Sequence, residues 1–317
     1  MSRYSIKPFE MDSVVTYPLA GRSSRVHIDD FAGVTATGGS FRDFWESLPK
    51  ILAAAELHDF VALLQKARSQ GKPILWGLGG HVIKVGLAPI LIDLLKHGWI
   101  QGIAINGSSA IHDFEIALSG NTSEDVDRGL QAGAFGMAEE TGSGFNEALR
   151  FGLNEGIGAG EAIGHWLTEK APPFAHLSLL VEAYRFRVPV TVHIAIGTDI
   201  IHNHPSVSGQ ALGQCSHLDF RLLASLVAYL DGGGAFINLG SAVILPEVFL
   251  KTITLVRNTG LNLEGFITAN FDFIQHYRPT QNVVKRPTRK SGRGFAFTGH
   301  HEIMVPLLAS ALKMQVE

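Results

Sequence analysis

Five short apolar runs in this chain each stop at a turn of small or polar residues and give way to a longer stretch. That rhythm restricts the fold more than any other feature. Residues 73–78 meet Gly79-Gly80 ahead of an amphipathic segment over 82–96. Residues 102–105 meet Asn106-Gly107-Ser108-Ser109 and a helical pattern through Leu118. Residues 188–196 meet Gly197-Thr198-Asp199, and residues 235–239 meet Gly240-Ser241 with a helix through Arg257. The fifth run, 265–269, meets Asn270-Phe271-Asp272. Short β-rich runs alternating with helical patterns make βαβ units and a parallel sheet. The expected fold is therefore α/β, an open and mostly parallel sheet with helices on both faces.

The rest of the chain fits one such domain over residues 1–317, preceded by an irregular arm over 1–40 that lacks periodicity. From Phe41 to Gln70 apolar residues recur at helical spacing; Pro49 breaks the stretch into two helices and Gly71 ends the second. Further helices are expected over 122–133, 145–152 and 177–186. Hydrophobic content of 46% with 17% charged residues describes a packed globule. A net charge of −3 and no basic stripe interleaved with aromatics speak against nucleic acid as a partner. The densest basic run, residues 285–293, reads as a solvated loop or an anion contact. One cysteine, Cys215, excludes an intrachain disulfide and a Cys-rich zinc module. No run reaches the ~18 apolar residues of a membrane span, and no signal-like segment opens the chain. The cytoplasm is the expected address, with no membrane partner.

In open parallel sheets, ligands sit outside the carboxyl ends of the strands. Glycine there lets backbone N–H groups approach a ligand closely, and a helix N-terminus attracts anions such as a pyrophosphate. Gly79-Gly80-His81, Asn106-Gly107-Ser108 and Gly240-Ser241 fit that use. Taken singly, each turn is explained as well by the steric needs of a βα connection. Several on one edge point to a nucleotide-sized ligand. The G-x-G-x-x-G fingerprint of ordinary dehydrogenases is absent.

Three stretches resemble the deoxyhypusine synthases. The first runs from Gly79-Gly80-His81-Val82-Ile83-Lys84-Val85-Gly86 through Ile92-Asp93-Leu94 to Asn106-Gly107-Ser108-Ser109 and His112-Asp113. The second is Val188-Pro189-Val190 leading to Thr198-Asp199. The third is Asn238-Leu239-Gly240-Ser241-Ala242-Val243, with Arg257-Asn258 and Thr268-Ala269. The resemblance implies an NAD-binding fold of the kind shared with sirtuin deacylases, a homotetramer, and sites completed between subunits. By position it implies NAD contacts at Gly79, Gly80, His81, Asn106, Gly107, Ser108, Asp113, Asp199, Gly240, Ser241, Thr268 and Ala269. Where the family holds a polyamine with a serine and a carboxylate, this chain has Ile201 and His204. A small-molecule substrate less cationic than spermidine follows.

For chemistry, Lys285 is a candidate imine-forming lysine if its pKa is lowered by burial or by Arg286; a surface lysine among Arg286, Arg289 and Lys290 is the plainer reading. Lys84 is a candidate phosphate partner or a solvent-facing helix residue. His112, His202 and His204 are candidate acids or bases near neutral pH. A zinc or iron site from His202, His204 and Asp199 is the alternative use, giving a metal-dependent hydrolase or lyase. His300-His301 read as a helix cap, and Glu139-Glu140 as a helix-start acidic pair. The expected activity is NAD-dependent transferase or oxidoreductase chemistry on an amine or alcohol. A non-catalytic nucleotide-binding protein is the remaining alternative.

Overall fold

A computed structural model describes residues 3–314. The chain divides into two compact units, Met1–Ala55 and Glu56–Glu317. In the first, single 3-10 turns at Leu19–Gly21 and Ile28–Asp30 precede the helix α1 (Phe41–Ser47). Ser40 starts α1 with a reciprocal cap. Its hydroxyl accepts from the Asp43 N–H, and the Asp43 carboxylate accepts from the Ser40 N–H at 2.7 Å. That cap holds the Asp43 carboxyl below its ordinary pKa.

Most of α2 (Leu52–Ser69) belongs to the second unit, which continues with β1 (Ile74–Leu78), α3 (Gly80–Lys84), α4 (Ala88–Lys96), β2 (Gly102–Asn106) and α5 (Gly107–Ser119). Four helices intervene before the next strand: α6 (Val126–Ala132), α7 (Glu139–Glu155), α8 (Ala159–Lys170) and α9 (Leu179–Arg185). Then come β3 (Val190–His193), α10 (Gly209–Ala228), β4 (Ala235–Leu239), α11 (Ile244–Asn258) and β5 (Ile267–Asp272). α12 (Tyr277–Pro279) runs on as a π-helix over Thr280–Lys285, and β6 (Arg293–Thr298) and α13 (His301–Lys313) end the unit.

Among the described residues the six strands form one sheet in the order β3-β2-β1-β4-β5-β6, with every pair parallel. The expected α/β fold is present. This order is that of doubly wound dinucleotide-binding folds. The chain moves outward in one direction from β1 and in the other from β4, and between such strand ends is where sheets of this order hold their ligands.

Aromatic packing seals both faces. On one, Phe236 of β4 stacks on Phe249 of α11, with ring centres 3.8 Å apart, amid Leu75, Leu223, Val227 and Phe266. On the other, Phe60 of α2 meets Phe271, Phe295 and Phe297 of β5 and β6 at 5.2–5.7 Å. β6 begins at Arg293, the last residue of the run expected as a basic loop, and was not among the five expected strands. Its Phe295 and Phe297 alternate inward with outward residues, an edge-strand pattern that the run before it obscures. The segment expected as one helix over 82–96 is two, because Gly86 adopts a positive φ of 83° and turns the chain between α3 and α4.

Phe60→Ala removes a fully buried ring between three others and is expected to lower unfolding free energy by about 3–5 kcal/mol. Urea denaturation measures it; a loss no larger than an exposed substitution gives contradicts this packing.

Candidate functional site

The base of the crevice is made by two glycine turns in contact. Gly79 donates its N–H to the Leu239 carbonyl at 2.8 Å, which carries the β1–β4 ladder one step past the strands. A Cβ on Gly79 would lie 2.2 Å from the Gly240 carbonyl oxygen, so no other residue fits there. Gly240 takes φ +64°, and a Cβ on it would meet the His301 ring at 2.8 Å. Only glycine meets both demands. Beneath the turn runs a ladder of buried amides. Asn238 donates to the Ser241 carbonyl at 3.0 Å and to Asn270 Oδ1 at 2.7 Å, Asn270 donates to Gln275, and Gln275 donates to the Phe297 carbonyl. Ser241 is buried, and its hydroxyl caps α11 by accepting from the Leu245 N–H.

Beside Gly80 stands the second turn. Asn106 caps α5, accepting from the Ser109 N–H and from the Ser108 and Ser109 hydroxyls. Ser108 Oγ and the His112 ring are what a Cβ on Gly80 would meet, at 2.5 and 3.4 Å. Gly107 is covered from the next strand end: a Cβ there would fall 2.0 Å from Asp199 Oδ2. The carboxylate of Asp199 thus lies against the start of α5, where it also accepts from the Ala195 N–H, and burial pushes its pKa up. An anion of the protein's own occupies this helix start, leaving Asp199 better suited to hydroxyl donors than to a phosphate.

Four histidines stand along the edge in different states. His301 is fully buried and was missed as more than a cap. Its Nε2–H donates to the Phe271 carbonyl at 3.2 Å, Nδ1 has no partner, and burial lowers its pKa. His81 is exposed at the head of α3, its ring centre 5.7 Å from that of His301 and 5.9 Å from that of Phe273. The His112 Nδ1 lies 2.7 Å from the Thr122 hydroxyl, and burial with nearby Lys84 and His81 holds its pKa down. His202 accepts the Gly197 N–H at Nδ1, so its buried Nε2 carries the proton and finds no acceptor.

Other expected site residues lie elsewhere. Asp113 faces inward: its carboxylate accepts from Ser178 Oγ and from the Leu179 and Leu180 N–H groups at the start of α9, and burial raises its pKa to about 6. Thr268 and Ala269 are buried in the middle of β5, whose carboxyl end falls three residues later at Asp272. His204 is buried against Gly142 of α7, bonded to Ser206 and Glu139; the acidic pair at the head of α7 thus supplies its partner. With the His204 ring so engaged and Asp199 turned to Gly107, the imagined metal trio does not assemble. No group of three metal-binding side chains occurs among the described residues. Lys285 is exposed, a turn beyond Asn282, which bonds Glu247 in the first turn of α11. From there the chain descends to Pro287, whose carbonyl accepts from Arg257 at the far end of α11. Lys285 is thus an exposed residue at the end of the π-helix.

Two cavities flank the edge. One of about 580 Å³ is lined by Glu115, Thr122, Glu124, Glu140 and Thr141. The other, about 340 Å³, opens past β3 between His193, Ile196, Leu212, Phe220, Ile244 and Val248. Burial drives the His193 pKa down to about 3, so that ring is neutral.

No protein-family model matches the chain, and no curated protein matches its sequence. Solved structures share its fold. A putative deoxyhypusine synthase from Entamoeba histolytica, 10% identical, superposes with a TM-score of 0.53 over 87% of this chain and 93% of that one. Unliganded AgrE, 14% identical, reaches 0.52 over 81% of this chain and 32% of its own. A conserved putative LOR/SDH protein from Methanococcus maripaludis S2, 16% identical, gives a TM-score of 0.49 over 82% of this chain and 67% of that one. The chain spans about a third of the AgrE and ArgZ chains. The fold is that of the putative deoxyhypusine synthase.

Asp219 was missed entirely. Fully buried on α10, it accepts from the Gly160 and Val192 N–H groups and so ties α8 to β3; burial raises its pKa to about 7. The folded protein then holds this proton more tightly than the unfolded chain, so the contribution of Asp219 to stability falls as pH rises from 3.8 to about 7. Wild-type stability measured relative to Asp219→Asn is expected to decline over that window. A difference that stays flat or grows contradicts the burial argument.

Proposed function

We propose that the chain is an NAD-dependent enzyme of deoxyhypusine synthase type, holding the dinucleotide along the carboxyl edge of its sheet and oxidising a C–N or C–O bond. The observation that carries this reading is the contact between the Gly79 and Gly240 turns at the β1–β4 crossover. The residues present fit the cofactor in three respects. Gly79 and Gly240 are taken up by packing on one another and on His301, and Gly80, at the head of α3, brings a turn without a side chain of its own to the rim. His301 Nδ1 is a buried acceptor without a donor, and His202 Nε2–H a buried donor without an acceptor. Asp199 offers a carboxylate to ribose hydroxyls. Bound NAD supplies the hydride acceptor.

The chain's own part is to place and deprotonate the substrate. His112, neutral and with Nε2 unpartnered beside Gly80, takes the proton from the substrate's O–H or N–H. The cavity past β3 carries no carboxylate among its lining residues and suits an uncharged substrate, whereas the cavity beside Thr122 is lined by Glu115, Glu124 and Glu140 and suits a cationic one. Assembly into a homo-oligomer belongs to the same proposal. Large apolar side chains exposed in the first unit, Ile6, Phe9, Val15 and Val34 among them, support it.

Calorimetric titration tests the reading. Wild-type protein is expected to bind NAD+ one to one in the sub-millimolar range. The Cβ of Gly80→Ala meets Ser108 at Oγ and Cβ and the His112 ring at 3.4 Å, so Ser108 must turn from Asn106; the variant is expected to keep a wild-type circular-dichroism spectrum yet bind at least about tenfold more weakly. No heat of binding at millimolar NAD+ rejects the proposal.

A further inference from the structure

His112 and Glu115 lie three residues apart on α5 and therefore share a face. Gly120 closes the helix with φ +72°, and the chain turns back so that Thr122 stands beside both. Ser119 fixes this return, its hydroxyl donating to the Asn121 carbonyl at 3.1 Å and accepting from the Asn121 N–H at 3.2 Å. The Thr122 hydroxyl donates to Glu115 Oε2 at 2.5 Å. Thr141, in the first turn of α7, donates to the other oxygen at 3.2 Å. Both carboxylate oxygens are thus engaged, and the carboxylate is held from two elements.

A hydroxyl has one proton. With that proton given to Glu115, Thr122 can only accept from the imidazole, so His112 must carry its hydrogen on Nδ1. The second ring nitrogen, Nε2, is then a bare lone pair. It makes no hydrogen bond and adjoins Cδ2, the ring atom nearest Gly80. The charged and titratable groups facing the ring are Lys84 and His81 from α3, with Glu115 on its own helix. A carboxylate in direct contact would favour the imidazolium. Here the hydroxyl stands between, so Glu115 orients the ring without charging it.

We propose that Thr122 and Glu115 are positioning residues for His112, fixing it as the Nδ1–H imidazole and presenting Nε2 as a base at the first glycine turn. On protonation Nε2 gains the hydrogen while Nδ1–H keeps its bond to Thr122, so the ring need not flip between turnovers. The proposal rests on the reading of His112 as the base, and its test separates the two.

Nitrogen-15 spectra of the histidine rings in the full chain without NAD+ read the tautomer directly, with His112→Gln assigning the signals. Wild type is expected to show Nδ1 of His112 with a protonated, pyrrole-type shift and Nε2 with a bare, pyridine-type shift. Thr122→Val should collapse this to the common Nε2–H form or to a mixture, and Thr122→Ser should restore it. A pyridine-type Nδ1 in the wild type overturns the relay, whether or not the valine variant folds. So does a valine variant with an unchanged spectrum. Adding NAD+ to the same sample then tests the functional reading alone: a fixed tautomer with no response to NAD+ leaves the relay standing and removes its assigned purpose.

Discussion

The closeness of Gly79 to the Gly240 carbonyl sets the terms for everything around it. Two parallel strands that run in opposite directions of the chain's progress end side by side, and their turns touch because neither carries a side chain. From that contact α3 and α11 depart to opposite faces. His301 is seated beneath Gly240, and the amides of Asn238, Asn270 and Gln275 lock the floor. A methyl group at Gly79 would push the turns apart, and one at Gly240 would drive into the His301 ring. The crevice is therefore a property of backbone packing, with polar side chains added around its rim.

Along that rim the histidines differ through their hydrogen bonds more than through exposure. A carbonyl fixes the proton of His301 on Nε2, a backbone N–H fixes that of His202 on Nε2, and a hydroxyl fixes that of His112 on Nδ1. One edge so presents a buried acceptor, a buried donor and, at His112, the proposed base. His204 has the same ring but is consumed by Glu139 and Ser206. Proximity in sequence to Asp199 gave it no share in the site.

Much of the sheet was legible because five strands carry their own period and end in small residues. The sixth was not: Phe295 and Phe297 alternate correctly, but the basic residues ahead of them look like loop, and the π-helix over Thr280–Lys285 leaves no simple repeat. The glycine turns were readable as a group, since their use follows from local backbone needs. The roles of Asp113, Asp219 and His301 were not. Each depends on a partner 27 to 67 residues away, brought near only by the fold. Spacing likewise suggested a metal pair in His202 and His204, whereas the 3-10 turn at Ile200–Asn203 sends the two rings to different neighbours. Short-range pattern reports strands and turns; it does not report which buried polar groups meet.

A crystal structure of the protein grown with NAD+ bears most directly on the central claim. Dinucleotide density is expected across the ends of β1 and β4, touching the turns at Gly80 and Gly240 and within hydrogen-bond reach of His301 Nδ1. Density confined to another surface, or none at these strand ends at saturating NAD+, would contradict it.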